Sequence, residues 1–181
     1  MQKIILLDSF HLELTTNRLC QELIENYDSF ENTALIGLQP RGRFFAQRLH
    51  KNLEAFCQKK IELGYLDTTF HRDDFRRRDY PLVANSTNLP FQIEEKQVIL
   101  VDDVLFTGRT IRAALSAMSE FGRPSRIELL VLVDRKYSRD LPIQPDYVGK
   151  TVNSIQEQRI IVEWQEQGFE EDKIWLASPI K

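Results

Sequence analysis

An α/β domain with a mainly parallel central sheet flanked by helices is the fold this chain predicts, and three observations carry the prediction. Short apolar runs rich in Val, Ile and Leu alternate with segments of helical apolar spacing, the pattern of strands joined by crossover helices. Residues 98–110, Val-Ile-Leu-Val-Asp-Asp-Val-Leu-Phe-Thr-Gly-Arg-Thr, read as a buried strand, an acidic pair, a tight loop and a helix start. The chain has 181 residues, 42% hydrophobic and 28% charged, enough for one buried core with the composition of a globular domain. A single domain over 1–181 is expected, with no repeat, low-complexity tract or linker.

Residues 12–27 predict a first helix, with Leu12, Leu19, Leu23 and Ile24 near one face. Residues 33–38 are a buried strand, and the turn Gln39-Pro40-Arg41-Gly42 leads into a helix over 43–56. There Phe44, Phe45, Leu49, Leu53 and Phe56 recur at helical spacing and read as core. Residues 61–70 alternate enough for a strand. The polar segment 71–91, punctuated by Pro81 and Pro90, is predicted to be a flexible loop of the kind that serves as an active-site lid. A helix over 110–121 follows the strand and loop at 98–110, then a turn at Gly122-Arg123-Pro124 and a buried strand over 127–133 ending in Asp134-Arg135. A loop with Pro142 and Pro145 leads to Asp146-Tyr147-Val148-Gly149-Lys150. Residues 159–164 and 173–176 finish the chain as a C-terminal β-hairpin.

The formal net charge of −3 argues against indiscriminate attraction to nucleic acid. In the densest basic run, Arg72, Arg76, Arg77 and Arg78 are interleaved with Asp73, Asp74 and Asp79. No stretch has the apolar length of a membrane span. The early acid at Asp8 does not suit a signal peptide, so a cytoplasmic protein is expected. Cys20 and Cys57 read as reduced thiols, and His11, His50 and His71 are too scattered for a histidine metal site.

Open α/β sheets bind ligands beyond the carboxyl ends of their strands. The amides of Thr107, Gly108, Arg109 and Thr110 are expected at a helix N-terminus, where the helix dipole favours an anion. Gly108 has no Cβ to hold a phosphate away from the backbone. Asp102 and Asp103, one turn earlier, suit sugar hydroxyls and the water shell of a Mg²⁺ ion. These residues together read as a site for a sugar phosphate.

The 98–110 string resembles the signature of the type I phosphoribosyltransferases, which bind 5-phosphoribosyl 1-pyrophosphate (PRPP). The resemblance implies that Leu105, Phe106, Thr107, Gly108, Arg109 and Thr110 form the 5′-phosphate loop, Arg109 either adding charge or facing solvent. Asp102 and Asp103 would orient ribose and Mg²⁺, the metal being held through water and PRPP. Gln39, Pro40, Arg41 and Gly42 resemble the pyrophosphate loop, with Arg41 as the charged group and the amides of Gln39 and Gly42 as donors. Residues 71–91 would be the hood that excludes water, with Arg72 reaching pyrophosphate. Arg135, Tyr147 and Val148 are expected to line the base pocket, with core packing as the competing reading of Tyr147. Relatives acting on hypoxanthine and guanine carry an Asp where this chain has Phe106 and tend to carry a Lys where it has Asp134. Both departures point to a pyrimidine.

Further strings are similar to the bifunctional pyrimidine-operon attenuator and uracil phosphoribosyltransferase (PyrR) family: Tyr-Leu-Asp-Thr-Thr-Phe-His-Arg-Asp-Asp at 65–74, Gly-Arg-Pro-Ser at 122–125, Leu-Pro-Ile at 141–143 and Asp-Tyr-Val-Gly-Lys at 146–150. The resemblance implies conversion of uracil and PRPP to UMP and pyrophosphate with Mg²⁺, and a homodimer or higher homo-oligomer. It also implies a UMP-tuned grip on an mRNA leader, for which Arg18, Arg43 and Lys150 are the candidate phosphate contacts. The first helix is less basic than in RNA-regulating members, and Gln144 stands where they carry Arg, so the RNA surface looks less retained than the catalytic one. A 6-oxopurine transferase and a nucleotide-responsive regulator without transfer are the alternatives.

Overall fold

The computed structural model describes residues 1–27, 29–72, 84–155 and 157–179. In chain order the elements are β1 (Gln2–Leu7), α1 (Ser9–Asn26), β2 (Thr33–Leu38), α2 (Gly42–Cys57), β3 (Glu62–Leu66), β4 (Gln97–Leu105), α3 (Arg109–Met118), β5 (Arg126–Lys136), β6 (Tyr147–Asn153), β7 (Arg159–Glu163) and β8 (Lys173–Ser178). Five strands form a wholly parallel sheet in the order β3-β2-β4-β5-β6. The other three form an antiparallel sheet, β1-β8-β7.

Continuous apolar runs suit strands covered on both faces. Leu35 in β2, Ile99 and Val101 in β4, and Leu130 and Leu132 in β5 pack into one core with Leu19 and Leu23 of α1 and Phe45, Leu49 and Leu53 of α2. Their neighbours Ile36, Val98, Leu100, Leu129 and Val131 pack into a second core with Ile111, Ala114, Ala117 and Met118 of α3. The two clusters alternate over 98–101 of β4 and 129–132 of β5, as side chains on opposite faces of a sheet do.

The expected hairpin forms, with Ile161 opposite Trp175. Two strands were not anticipated. The β1 strand is exposed over most of its length and finds its partner only at the far end of the chain, Ile4 pairing with Leu176. Residues 147–153, read as a string following a loop, are the fifth parallel strand. The first helix starts three residues early because Asp8 caps it, its carboxylate accepting the His11 N–H at 2.9 Å. The strand expected over 61–70 ends at Leu66, and Thr69–His71 is a short 3₁₀ turn.

Polar clusters fasten the layers. Tyr27 at the end of α1 and Tyr147 on β6 both donate their hydroxyls to buried Glu128 of β5, the latter at 2.9 Å. Arg48 of α2 binds Asp172 at 2.9 Å and Glu166 at 2.7 Å, and lies over the buried Trp164 ring, which stacks on Phe45. This fixes the antiparallel sheet against α2. Arg18 of α1 donates to the carbonyls of Val148 and Gly149 on β6, at 2.9 and 2.8 Å. Asn88 exchanges both backbone hydrogen bonds with Tyr65 of β3, each at 2.8 Å. No helix among the described residues is long and apolar enough to cross a membrane.

Candidate active site at the carboxyl ends of the sheet

Because the five strands are parallel, the loops that follow β2, β4 and β5 all open on one edge. Neighbouring strands β2 and β4 send their helices to opposite faces, α2 into the first core and α3 into the second. Their loops therefore diverge and leave a crevice between them, the usual ligand position in an open α/β sheet.

At the end of β4, Gly108 caps α3 with φ +90°, a left-handed conformation natural only to glycine. A Cβ there would lie 3.2 Å from Ile143 Cδ1. Among the described residues, the amides of Thr107, Gly108 and Thr110 have no protein acceptor, while the Thr107 carbonyl accepts from the amides of Asp140 and Leu141 at 3.0 and 3.3 Å. Free N–H groups at a helix start, with carbonyls turned away, make an anion cradle. Arg72 joins it, donating from Nη1 to Thr110 Oγ1 at 3.3 Å. Arg109 pairs with Asp140 at 2.9 Å on a half-exposed surface. Leu105 is a core residue. The Arg135 guanidinium carbon lies over the Phe106 ring, 3.9 Å from its centroid.

Asp102 and Asp103 are 8% and 7% exposed. The Asp103 N–H donates to Asp102 Oδ1 at 3.0 Å, and Asp103 Oδ2 is buried with no hydrogen-bond partner among the described residues. Burial, and then the neighbouring charge of Asp103, push the Asp102 carboxyl well above the usual range, and burial raises Asp103 as well. Arg41 opposes both shifts, so its charge is felt at the pair. Two desolvated carboxylates that the fold leaves short of donors are a costly feature unless something polar completes them.

The turn after β2 abuts the same carboxylates. A Cβ on Gly42 would stand 2.6 Å from the Val101 carbonyl and 3.0 Å from Asp102 Oδ1, so only glycine lets α2 start there. Gln39 and Pro40 are joined by a cis peptide bond, and Arg41 is exposed at the start of α2. The expectation that the Gln39 amide is a ligand donor is not met: it donates to Leu66 O at 3.0 Å, while its side chain donates to Ser86 O at 2.6 Å. Of the expected hood, residues 73–83 lie outside the described residues, Arg76, Arg77 and Arg78 among them. The returning part docks by the Tyr65–Asn88 pair and by Asn85, whose amide donates to Asp67 Oδ2 at 3.2 Å.

The expected base pocket needs correction. Tyr147 opens β6 opposite Leu130, below the strand ends, with its ring in the core and its hydroxyl on Glu128. The ring stands where the core-packing reading puts it. The Val148 carbonyl is held by Arg18. Arg135 is 4% exposed and donates to Ser154 Oγ at 2.7 Å and Ile155 O at 3.2 Å, and burial pulls its guanidinium below the ordinary value. It packs against the Phe106 ring, with its Nε and Nη2 engaged by residues 154 and 155. The cavity that adjoins the cradle, about 680 Å³, is instead lined by Phe106, Thr107, Tyr137, Arg139, Asn153 and Ile155, with others. Its walls are the β4–α3 loop, the loop after β5 and the end of β6 with the residues that follow it. Val148 lines a smaller neighbour of about 390 Å³ beyond Arg139. Sequence reasoning missed Arg139 and residues 153–155. The signal available was positional, since whatever follows a parallel strand emerges at this edge.

Of the three candidate RNA contacts, Arg18 and Lys150 share β6 and Arg43 packs elsewhere. Arg18 is engaged with Glu22 and the β6 carbonyls, Lys150 lies on β6 opposite Val133, and Arg43 sits over the rings of Phe44 and Tyr65, the latter on β3 at the opposite end of the sheet.

The family profile described as phosphoribosyl transferase domain matches residues 6–167. The chain is 45% identical over 168 residues to the "Bifunctional protein PyrR" of Bacillus cereus (strain AH820), covering 91% of this chain and 92% of that protein. It is 44% identical over 168 residues, with the same coverage, to the protein of that name from Bacillus mycoides (strain KBAB4). Solved structures with the same fold include a hypoxanthine phosphoribosyltransferase of Staphylococcus aureus, with TM-score 0.71 and 18% identity over 97% of this chain and 93% of that one. Another is the hypoxanthine phosphoribosyltransferase of Trypanosoma cruzi, with TM-score 0.72 and 16% identity over 97% of each chain.

Proposed function

This chain belongs to the phosphoribosyl transferase domain family, in its PyrR branch, and on that premise we propose that it converts uracil and PRPP to UMP and pyrophosphate. The observation that carries the proposal is the Asp103 Oδ2 atom, buried without a donor between an anion cradle and an arginine-bearing turn. A ribose bearing phosphate at one end and pyrophosphate at the other supplies hydroxyl donors there and an anion on each side.

In this reading the amides of Thr107, Gly108 and Thr110 and the Thr110 hydroxyl hold the 5′-phosphate. Asp102 and Asp103 accept hydrogen bonds from the ribose hydroxyls, and Arg41 and Arg72 balance the charge that gathers on pyrophosphate as its bond to C1′ breaks. The new bond joins C1′ to the uracil nitrogen, whose proton leaves. An acidic pair with an unsatisfied oxygen fits a hydrated Mg²⁺, which Asp102 and Asp103 would hold through its water and which would neutralise the pyrophosphate. The residues themselves act by positioning and electrostatics, since no side chain of the described site is placed as a covalent nucleophile. The cavity lined by Phe106 and residues 153–155 takes the base. The apolar ring of Phe106, held on Arg135, offers no acceptor for a purine N7 proton, which favours a pyrimidine. We further read the protein as cytoplasmic and as a homodimer or larger homo-oligomer, which light scattering on the purified protein checks.

The test is pyrophosphate release from PRPP and Mg²⁺ with uracil, orotate, hypoxanthine, guanine and adenine in parallel. Release with uracil alone is expected; release with hypoxanthine or guanine instead would move the assignment to a 6-oxopurine transferase. The relatives' name, bifunctional, favours a second activity, the UMP-responsive grip on an mRNA leader. Retarded migration of a pyrimidine-operon leader transcript that sharpens with UMP is the result it requires, and unchanged migration at low salt removes it.

A further inference from the structure

We infer that Arg139 is a positioning residue for the 5′-phosphate cradle, orienting the amides that bind the anion without touching it. The inference rests on the transferase reading above and concerns how its cradle is built.

The Arg139 side chain is largely buried beneath the β4–α3 loop. Its Nη1 donates to the carbonyls of Phe106, of Leu105 at 3.4 Å and of Arg135 at 3.0 Å. Its Nε donates to Ile143 O at 3.1 Å, and Nη2 pairs with the Asp134 carboxylate. In a trans peptide the carbonyl of one residue and the N–H of the next point in opposite directions. Pinning the oxygens of Leu105 and Phe106 therefore turns the amides of Phe106 and Thr107 the other way, toward the crevice. The Asp140 and Leu141 amides do the same to the next peptide by holding the Thr107 oxygen, which aims the Gly108 N–H. Three consecutive peptide planes are thus set by residues 139–141.

Charge makes a second demand. Several carbonyl oxygens and one carboxylate converge behind a loop whose front must accept a phosphate dianion. Left alone they would repel one another and the incoming ligand. Arginine can answer both needs because its planar fork presents five N–H donors in fixed directions and keeps its charge. Lysine would keep the charge while losing the fork.

The experiment compares wild type with R139K, R139A and D134N by calorimetric titration of PRPP with Mg²⁺, and by uracil-dependent pyrophosphate release. R139K is expected to weaken PRPP binding at least tenfold and to raise the KM for PRPP, with kcat at saturating PRPP falling much less. D134N, which keeps the fork, should weaken binding less than R139K does. Guanidinium at millimolar concentration should restore part of the affinity lost in folded R139A; if R139A fails to fold, R139K decides. Wild-type affinity in R139K, or a fall in kcat with PRPP affinity unchanged, overturns the inference. Wild type that binds PRPP without transferring it to any base would sink the transferase reading while the PRPP titrations still judge Arg139.

Discussion

Asp103 carries a buried carboxylate oxygen that nothing in the described protein satisfies. Its replacement by Asn should lower kcat by roughly 100-fold or more, the scale on which single electrostatic groups act in transfer sites. The melting temperature should stay within a few degrees of wild type, because the variant keeps the shape of the side chain and sheds a desolvated charge. Equal losses of activity and stability would show a structural carboxylate. Gly42→Ala is the complementary test of space, since its Cβ would meet the Val101 carbonyl at 2.6 Å. Overpacking of this kind costs about 1–3 kcal/mol, and the displaced turn should also cost PRPP affinity, read together by denaturation and titration. Asp102, Asp103, Thr107 and Gly108 were legible in the sequence because a strand, an acidic pair and a helix start run consecutively there. Tyr147 and Val148 were not placed, because a string of letters does not say at which height of a strand it stands, and Tyr147 begins its strand below the edge where the β4–α3 loop opens.

Between elements, the cluster of Tyr27, Tyr147 and Glu128 joins the end of α1 to β5 and β6. Burial, reinforced by the hydrogen bond to Glu128, pushes the Tyr147 phenol from its ordinary 10.0 up to about 12, and Tyr27 is raised as well. A raised phenol value means that the folded state keeps a proton the unfolded state releases. Stability from Tyr147 is therefore complete below pH 10 and lost as pH rises through about 12. Tyr147→Phe should be less stable than wild type at pH 8, and the gap should narrow as the medium is made alkaline; denaturant titrations at several pH values check this. A gap that widens would reverse the sign. At this scale the helices and buried strands were legible from periodicity, which local burial enforces. The β1 strand was not, since its order comes from a partner at the other end of the chain.

For the molecule as a whole, sequence alternation pointed to a parallel sheet, but the spatial order β3-β2-β4-β5-β6 depends on which loops can cross which faces. That order brings the Arg41 turn beside the acidic pair, a distant coincidence in the chain. The antiparallel sheet is fixed against α2 chiefly by Arg48, Trp164, Asp172 and Glu166. Arg48→Ala should raise amide hydrogen exchange in β7 and β8 at least tenfold while β2 and β4 keep their protection, local opening without global unfolding. Uniform acceleration throughout would mean that the two sheets unfold as one unit.

Arg18 on the β6 carbonyls and Asn88 on Tyr65 occupy backbone groups on the two outermost strands of the parallel sheet. Exposed outer strands are templates for adding another chain, a route to aggregation as much as to assembly. Here those groups are occupied on both outer strands, which works against lengthening the five-stranded sheet with another chain. It also sets two tasks in competition at Arg18. An arginine released to grip a phosphate of RNA would uncover the β6 carbonyls, so RNA engagement through that residue would carry an aggregation liability.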